Sequence, residues 1–152
     1  IAEYTVLTKA VKDLINYKIE YSSKQFESLI NSYLVKLSAG ELALTFQLDN
    51  AKLSVTVYNA GTPVEIGTLS TGELLMVKLS TLLAIRKMNP VQINLLFLDE
   101  VAAVLTEENR DILINVLLEE SFNTFVVNHS YINPLCASIE VVKDKFSRII
   151  CQ

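Results

Sequence analysis

Cysteine and histidine are scarce in this 152-residue sequence, and each shortage removes a class of chemistry. The two cysteines, Cys136 and Cys151, stand outside any C-x-x-C spacing, which disfavours a zinc site, and one pair is too sparse for a disulfide scaffold. Reduced thiols in a cytoplasmic protein are the simpler reading. With His129 as the only histidine, His-rich metal sites are excluded and a Ser-His-Asp triad has no further support. No apolar run reaches the ~18 residues a membrane span needs, and the opening Ile1-Ala2-Glu3-Tyr4 lacks the basic start and apolar core of a signal peptide. Basic charge is short as well: 13 Lys and Arg are interspersed with 17 Asp and Glu, for a net charge of -4. A basic nucleic-acid stripe is therefore unsupported, and any DNA contact would need a local patch or a partner.

What is present is apolar. Hydrophobic residues make up 51% of the chain, enough at this length for one real core and one compact domain. The chain starts at Ile rather than Met, as a piece of a longer polypeptide would. Tyr4, Leu7, Val11 and Leu14 step by three and four, and Tyr21 continues the seam past Lys18, which predicts a helix of the kind that ends a coiled coil. Ser22-Ser23 predicts an interruption, after which Phe26, Leu29, Ile30, Tyr33, Leu34 and Leu37 restart a helical stripe up to Gly40. Leu42, Leu44, Phe46 and Leu48 alternate, as do Leu53, Val55 and Val57 after Asn50-Ala51-Lys52, so two half-buried strands in a hairpin are expected. Gly61-Thr62-Pro63 marks a turn. From Ser70 a second helix carries Leu74, Val77, Leu82 and Ile85 and ends before Pro90.

Beyond Pro90 the pattern changes. Ile93 to Leu98 is almost continuously apolar, as expected of a strand buried on both faces of a parallel sheet, and it ends in Asp99-Glu100. A helix from Glu107 to about Glu120 and a strand from Thr124 to Val127, ending at Asn128-His129-Ser130, complete a strand-helix-strand unit. Its crossover makes the strands parallel and puts both polar endings on one edge of the sheet, where ligands bind in open α/β folds. The tail, Ile139 to Val142 and Phe146 to Ile150 around Lys143-Asp144-Lys145, predicts a small antiparallel hairpin.

Three short motifs carry chemistry. In Leu69-Ser70-Thr71-Gly72-Glu73 a glycine permits close backbone approach, and the helix that follows offers N–H groups and the positive end of its dipole to an anion. Ser70-x-x-Glu73 is equally a plain capping box, which needs no ligand. A near copy, Leu37-Ser38-Ala39-Gly40-Glu41, is followed by alternating strand residues instead of a helix and reads as a turn. Asp99-Glu100 after Leu95-Leu96-Phe97-Leu98 could hold Mg²⁺ through water at Asp99 and orient or deprotonate an attacking water at Glu100. Burial of two adjacent carboxylates would be costly without a cation, although the strand could equally exit into solvent there. His129 closes the next parallel strand; a lone histidine is often only structural.

In their order, these motifs resemble the C-terminal nucleotide-binding lobe of an ATP-binding-cassette ATPase, over roughly residues 61 to 152. The Leu-Ser-x-Gly-Glu form is similar to that of the branch containing the structural-maintenance-of-chromosomes proteins and the double-strand-break-repair ATPases, phage recombination ATPases among them. The resemblance implies a P-loop NTPase-type α/β fold: a parallel sheet with flanking helices, a leading coiled-coil-end helix over residues 1–38 and the lobe over 39–152. It also implies ATP and Mg²⁺ as ligands. Ser70, Thr71, Gly72 and Glu73 would form the signature that closes on a partner protomer's γ-phosphate; Asp99 would serve the metal; Glu100 and His129 would be catalytic. Implied partners are an N-terminal lobe of the same protein, a second copy joined head to tail through ATP, DNA, and a nuclease subunit near the coiled-coil base, in a bacterial, phage-infected or nucleoid-associated setting without a membrane. The alternative is a chromosome-organising or DNA-tethering protein whose head dimerises but scarcely hydrolyses.

Several positions depart from the family. No G-x-x-x-x-G-K-[ST] loop occurs, so the phosphate cradle, which this branch carries in its N-terminal lobe, is missing and this chain alone should not bind ATP tightly. Thr106 stands where the family usually has the D-loop aspartate, and it would serve equally as a helix N-cap. Val101 replaces a common proline, Leu74-Leu75-Met76 replace residues often basic, and Thr71 narrows the approach to a phosphate.

Overall fold

A computed structural model describes residues 2–49, 52–91, 94–120, 123–127, 133–143 and 147–151. The chain begins with a single helix, α1 (Ala2–Leu37), where the sequence predicts two. Serine does not break it because a serine hydroxyl can bond back to the preceding turn: Ser23 Oγ donates to the Glu20 carbonyl at 2.9 Å. Only the second half of α1 is covered. Ile30, Tyr33, Leu34 and Leu37 lie in the core, whereas Leu7, Val11, Leu14 and Tyr21 are exposed.

After a turn through Ala39 and Gly40, both at positive φ, come β1 (Leu42–Asp49), β2 (Lys52–Asn59) and β3 (Thr62–Val64), an antiparallel sheet in that order; the turn expected at Gly61-Thr62-Pro63 is made by Ala60 and Gly61, so that Thr62 and Pro63 already pair with β2. The near copy of the signature at 37–41 is thus a turn, as its sequence context predicts. The first hairpin also forms, though its expected turn residues Asn50 and Ala51 lie outside the described residues. Polar side chains of α1 and of Ser38 just after it cover the free edge of β1 at every second residue. Ser38 Oγ accepts from the Leu42 N–H at 3.0 Å; Asn31 clasps Leu44, accepting its N–H at 2.9 Å and donating to its carbonyl at 2.8 Å; Glu27 accepts from the Phe46 N–H. An edge satisfied in this way cannot recruit another strand.

The remaining elements are α2 (Thr71–Met88), β4 (Leu95–Asp99), α3 (Glu107–Leu118), β5 (Asn123–Val127), β6 (Ile139–Lys143) and β7 (Ser147–Cys151). β4 and β5 pair in parallel with Phe97 opposite Phe125, and β6 and β7 form the antiparallel tail hairpin. Asp144, Lys145 and Phe146 of that hairpin's expected turn, and Ile93 at the expected start of β4, lie outside the described residues. One core joins α1, β1, β2, α2, β4 and α3 through Leu34, Leu42, Leu44, Val57, Leu79, Leu83, Leu98, Leu113 and Leu117.

The expectation that β4 is buried on both faces is corrected. Leu98 is buried, but Phe97 is 64% exposed and Phe125 46% exposed, their rings stacked at 5.1 Å between centroids. Helices cover only one side of this pair of strands, and parallel sheets ordinarily have both faces covered.

Candidate functional site

The signature segment is built by a reciprocal cap. Ser70 sits in extended geometry (φ -60°, ψ 160°) ahead of α2 and accepts the Glu73 N–H on Oγ at 3.2 Å, while Glu73 Oε2 accepts the Ser70 N–H at 2.7 Å. Asn59, at the end of β2, donates to the other Glu73 oxygen at 2.7 Å. The Ser70 hydroxyl, then its backbone N–H, hold the Glu73 carboxyl below the usual glutamate range. The capping box therefore does not exclude an anion at this helix start, because a cap orders the very turn whose leading N–H groups lack partners within the helix. Thr71 is exposed at the first helical position. At Gly72 an added Cβ would stand 3.5 Å from the Val104 carbonyl, an ordinary contact, so the start of α2 rests on the segment that follows Asp99-Glu100.

Asp99 ends β4 directly opposite Val127 of β5, and Glu100 follows with its N–H donating to the Val127 carbonyl at 3.0 Å. Both carboxylates are exposed, so the expected cost of burying them is not incurred in this chain and carries no weight for a cation. Backbone geometry adds to this placement: at φ 53° Glu100 is, with the turn residues Ala39 and Ala60, one of three described non-glycine residues in the left-handed region, and it is pinned on one side by Val127 and on the other by the Ala103 N–H bonded to its own carbonyl at 3.0 Å. Such strain of about 1–3 kcal/mol persists only where surroundings over-determine it, and it concentrates at functional sites.

The donor set bears on Mg²⁺. Among the described residues no group of three His, Cys, Asp or Glu side chains could enclose a metal. One exposed oxygen ligand at Asp99 with Glu100 beside it nevertheless fits a hard ion that keeps most of its waters and takes further oxygens from a substrate's phosphates. Thr106 caps α3, its Oγ1 accepting the Asn109 N–H at 3.3 Å. His129 lies outside the described residues; Val127, two positions before it, closes β5 beside Asp99.

Parallel pairing thus brings the β4 and β5 ends to one edge, and the Gly72 contact sets the signature beside the turn after β4. Asn59 is the residue that sequence reasoning missed. Its only local signal is a polar side chain closing a strand ahead of the Ala60-Gly61 turn, and its partnership with Glu73 depends on tertiary placement.

No family model matches the chain. It is 42% identical over 149 residues, 95% of its length, to the Escherichia phage T5 protein named "Probable exonuclease subunit 2", of which it spans 24%, about a quarter. A chain solved in work on ATP-driven dimerization and DNA stimulated activation of SMC ATPases superposes with a TM-score of 0.70 at 19% identity, over 90% of this chain and 88% of that one. This chain has the fold of the C-terminal lobe of an SMC-like ATP-binding-cassette head. The Smc head domain with a coiled coil and joint from Pyrococcus yayanosii matches over 99% of this chain and 31% of that one, again at a TM-score of 0.70 and 19% identity. The sequence-based expectation of fold is met: an α/β unit with a parallel strand pair, a leading helix and an antiparallel tail hairpin. Among the described residues no helix is long and apolar enough to cross a membrane.

Proposed function

We propose that this lobe is the C-terminal half of a DNA repair or recombination ATPase that hydrolyses ATP at a head-to-tail dimer interface, clamps DNA and governs an associated nuclease. The observation that carries the reading is the strained, exposed Glu100 beside Asp99 at the edge where β4 and β5 both end. The phage relative's name supports the nuclease association, and the SMC fold supports the ATPase.

In this reading the uncovered face of β4 and β5, with Phe97 and Phe125, receives the N-terminal lobe that carries the phosphate loop. Asp99 supplies an oxygen ligand, Glu100 orients and deprotonates the attacking water, and His129 contacts the γ-phosphate. Bound Mg²⁺ would neutralise charge on the phosphates. Ser70 and Gly72 close on the nucleotide held by the second copy; there the Ser70 O–H exchanges the Glu73 carboxylate for a phosphate oxygen, while the N–H groups of Thr71 and Gly72 face the anion. The closed dimer encircles DNA, and hydrolysis releases it.

The rival reading, a tether that dimerises with little hydrolysis, draws on Thr106, whose hydroxyl is occupied as a helix cap where the family usually has an aspartate. Glu100→Gln in the full-length polypeptide separates the two. Loss of a positioned base lowers ATP turnover about 10²-fold or more and leaves an ATP-bound dimer that persists through gel filtration. An unchanged hydrolysis rate would falsify the assignment of Glu100.

A further inference from the structure

Three helices meet at one carboxylate, Glu120, just beyond α3. The Tyr33 hydroxyl of α1 donates to its Oε1 at 2.7 Å, and Arg86 and Lys87, in the last turn of α2, approach its Oε2 at 3.7 and 3.8 Å. The Glu120 and Arg86 side chains are only 12% and 16% exposed, so this pair sits largely out of water, and removing one of the two leaves the other buried and poorly matched; Lys87, 55% exposed, adds little. A second pair between the same elements, Lys36 with Glu119 at 2.5 Å, is half exposed on both sides and contributes little. Burial, then the Glu120 carboxylate, push the Tyr33 hydroxyl well above the ordinary phenol range, consistent with its role as the donor in this bond.

Each helix leads somewhere different. α1 runs without a break from Ala2 to Leu37, so a tilt of its exposed outer half reaches Tyr33 through a continuous rod about 1.5 Å long per residue. α2 begins at the Ser70-Glu73 cap. α3 begins after its Thr106 cap, downstream of Asp99 and Glu100, and the chain continues from Glu120 to β5.

The geometry points to a clasp: the Glu120 carboxylate, gripped by Tyr33, Arg86 and Lys87, fixes the direction of the α1 arm relative to the helices that border the candidate site. Its consequence for turnover rests on the ATPase reading above; the clasp itself is a matter of geometry. The test uses the full-length polypeptide with spin labels at Lys12→Cys on α1 and Asn115→Cys on α3, all other cysteines being replaced by serine, and a pulsed-resonance measurement of the distance between them. The parent gives one narrow distribution. Tyr33→Phe, which deletes a single oxygen, and Glu120→Gln, which keeps the shape and removes the charge, each lose that narrow peak. An unchanged distribution in both variants overturns the clasp, because apolar packing of Ile30, Leu34 and Leu37 would then suffice. In the same polypeptide, shortening the arm ahead of Tyr21 changes kcat for ATP about threefold or more in the parent, and Tyr33→Phe abolishes that response. Equal responses with and without the hydroxyl also overturn the coupling. If the parent hydrolyses no ATP, the functional reading fails while the distance measurement still decides the clasp.

Discussion

Glu100 holds a conformation that its own side chain disfavours. A left-handed glutamate costs roughly 1–2 kcal/mol relative to glycine, and here the Val127 carbonyl and the Ala103 N–H hold the backbone in place. Glu100→Gly is therefore expected to raise stability by about 1 kcal/mol, while it eliminates hydrolysis if the carboxylate is the base. Thermal unfolding and ATP turnover of the full-length polypeptide check both halves; a variant that loses stability would show that the residue is not strained. Nothing in the dipeptide Asp99-Glu100 announces this geometry. The residue types were legible because an apolar run that stops at two acids is a local pattern, whereas the sign of φ depends on a hydrogen bond to β5.

Among the elements, α2 was the easiest to read in advance, since a capping box closes within four residues. Ser70→Ala removes the acceptor for the Glu73 N–H and is expected to cost about 1 kcal/mol, a fall of roughly 2–4 °C in the unfolding midpoint for a domain of this size. The cap is also pH-dependent. Because Glu73 titrates lower in the folded protein than its ordinary value of 4.5, its contribution is complete above that value and fades as the pH falls through the lower, folded one. The stability difference between the parent and Glu73→Gln is thus expected at neutral pH and should shrink in acid; a difference that persists unchanged at low pH would show that the charge is not what the cap uses. β4 was harder to read. Its apolar run identified a strand but not how many of its faces would be covered, because covering a face takes a second layer that the run itself does not encode. α1 was misdivided for the opposite reason: Ser22-Ser23 looks like a break, yet a helix can absorb serines whose hydroxyls bond to the turn before them.

Among the described residues the uncovered apolar surfaces include two large ones, first the outer half of α1 and second the outward face of β4 and β5. Under the proposed function the second receives the N-terminal lobe. Phe97→Asp places a charge in that interface and is expected to weaken co-purification of this chain with the remainder of the polypeptide at least about tenfold, since burying a phenylalanine contributes about 1.5–3 kcal/mol and burying an unpaired carboxylate opposes it. Unchanged co-elution in gel filtration would remove that face from the interface.

The sequence by itself determined the hairpin of β1 and β2, the turn at the near copy of the signature, the α2 cap and the parallel pairing of β4 with β5, because each follows from local periodicity, capping chemistry or the handedness of a crossover. Tertiary structure alone decided that Asn59 braces Glu73, that Glu100 is strained, that the two carboxylates stand in solvent and that Tyr33, Arg86 and Lys87 converge on Glu120. Those facts join residues far apart in the chain, and only the packing of the core sets the distances between them.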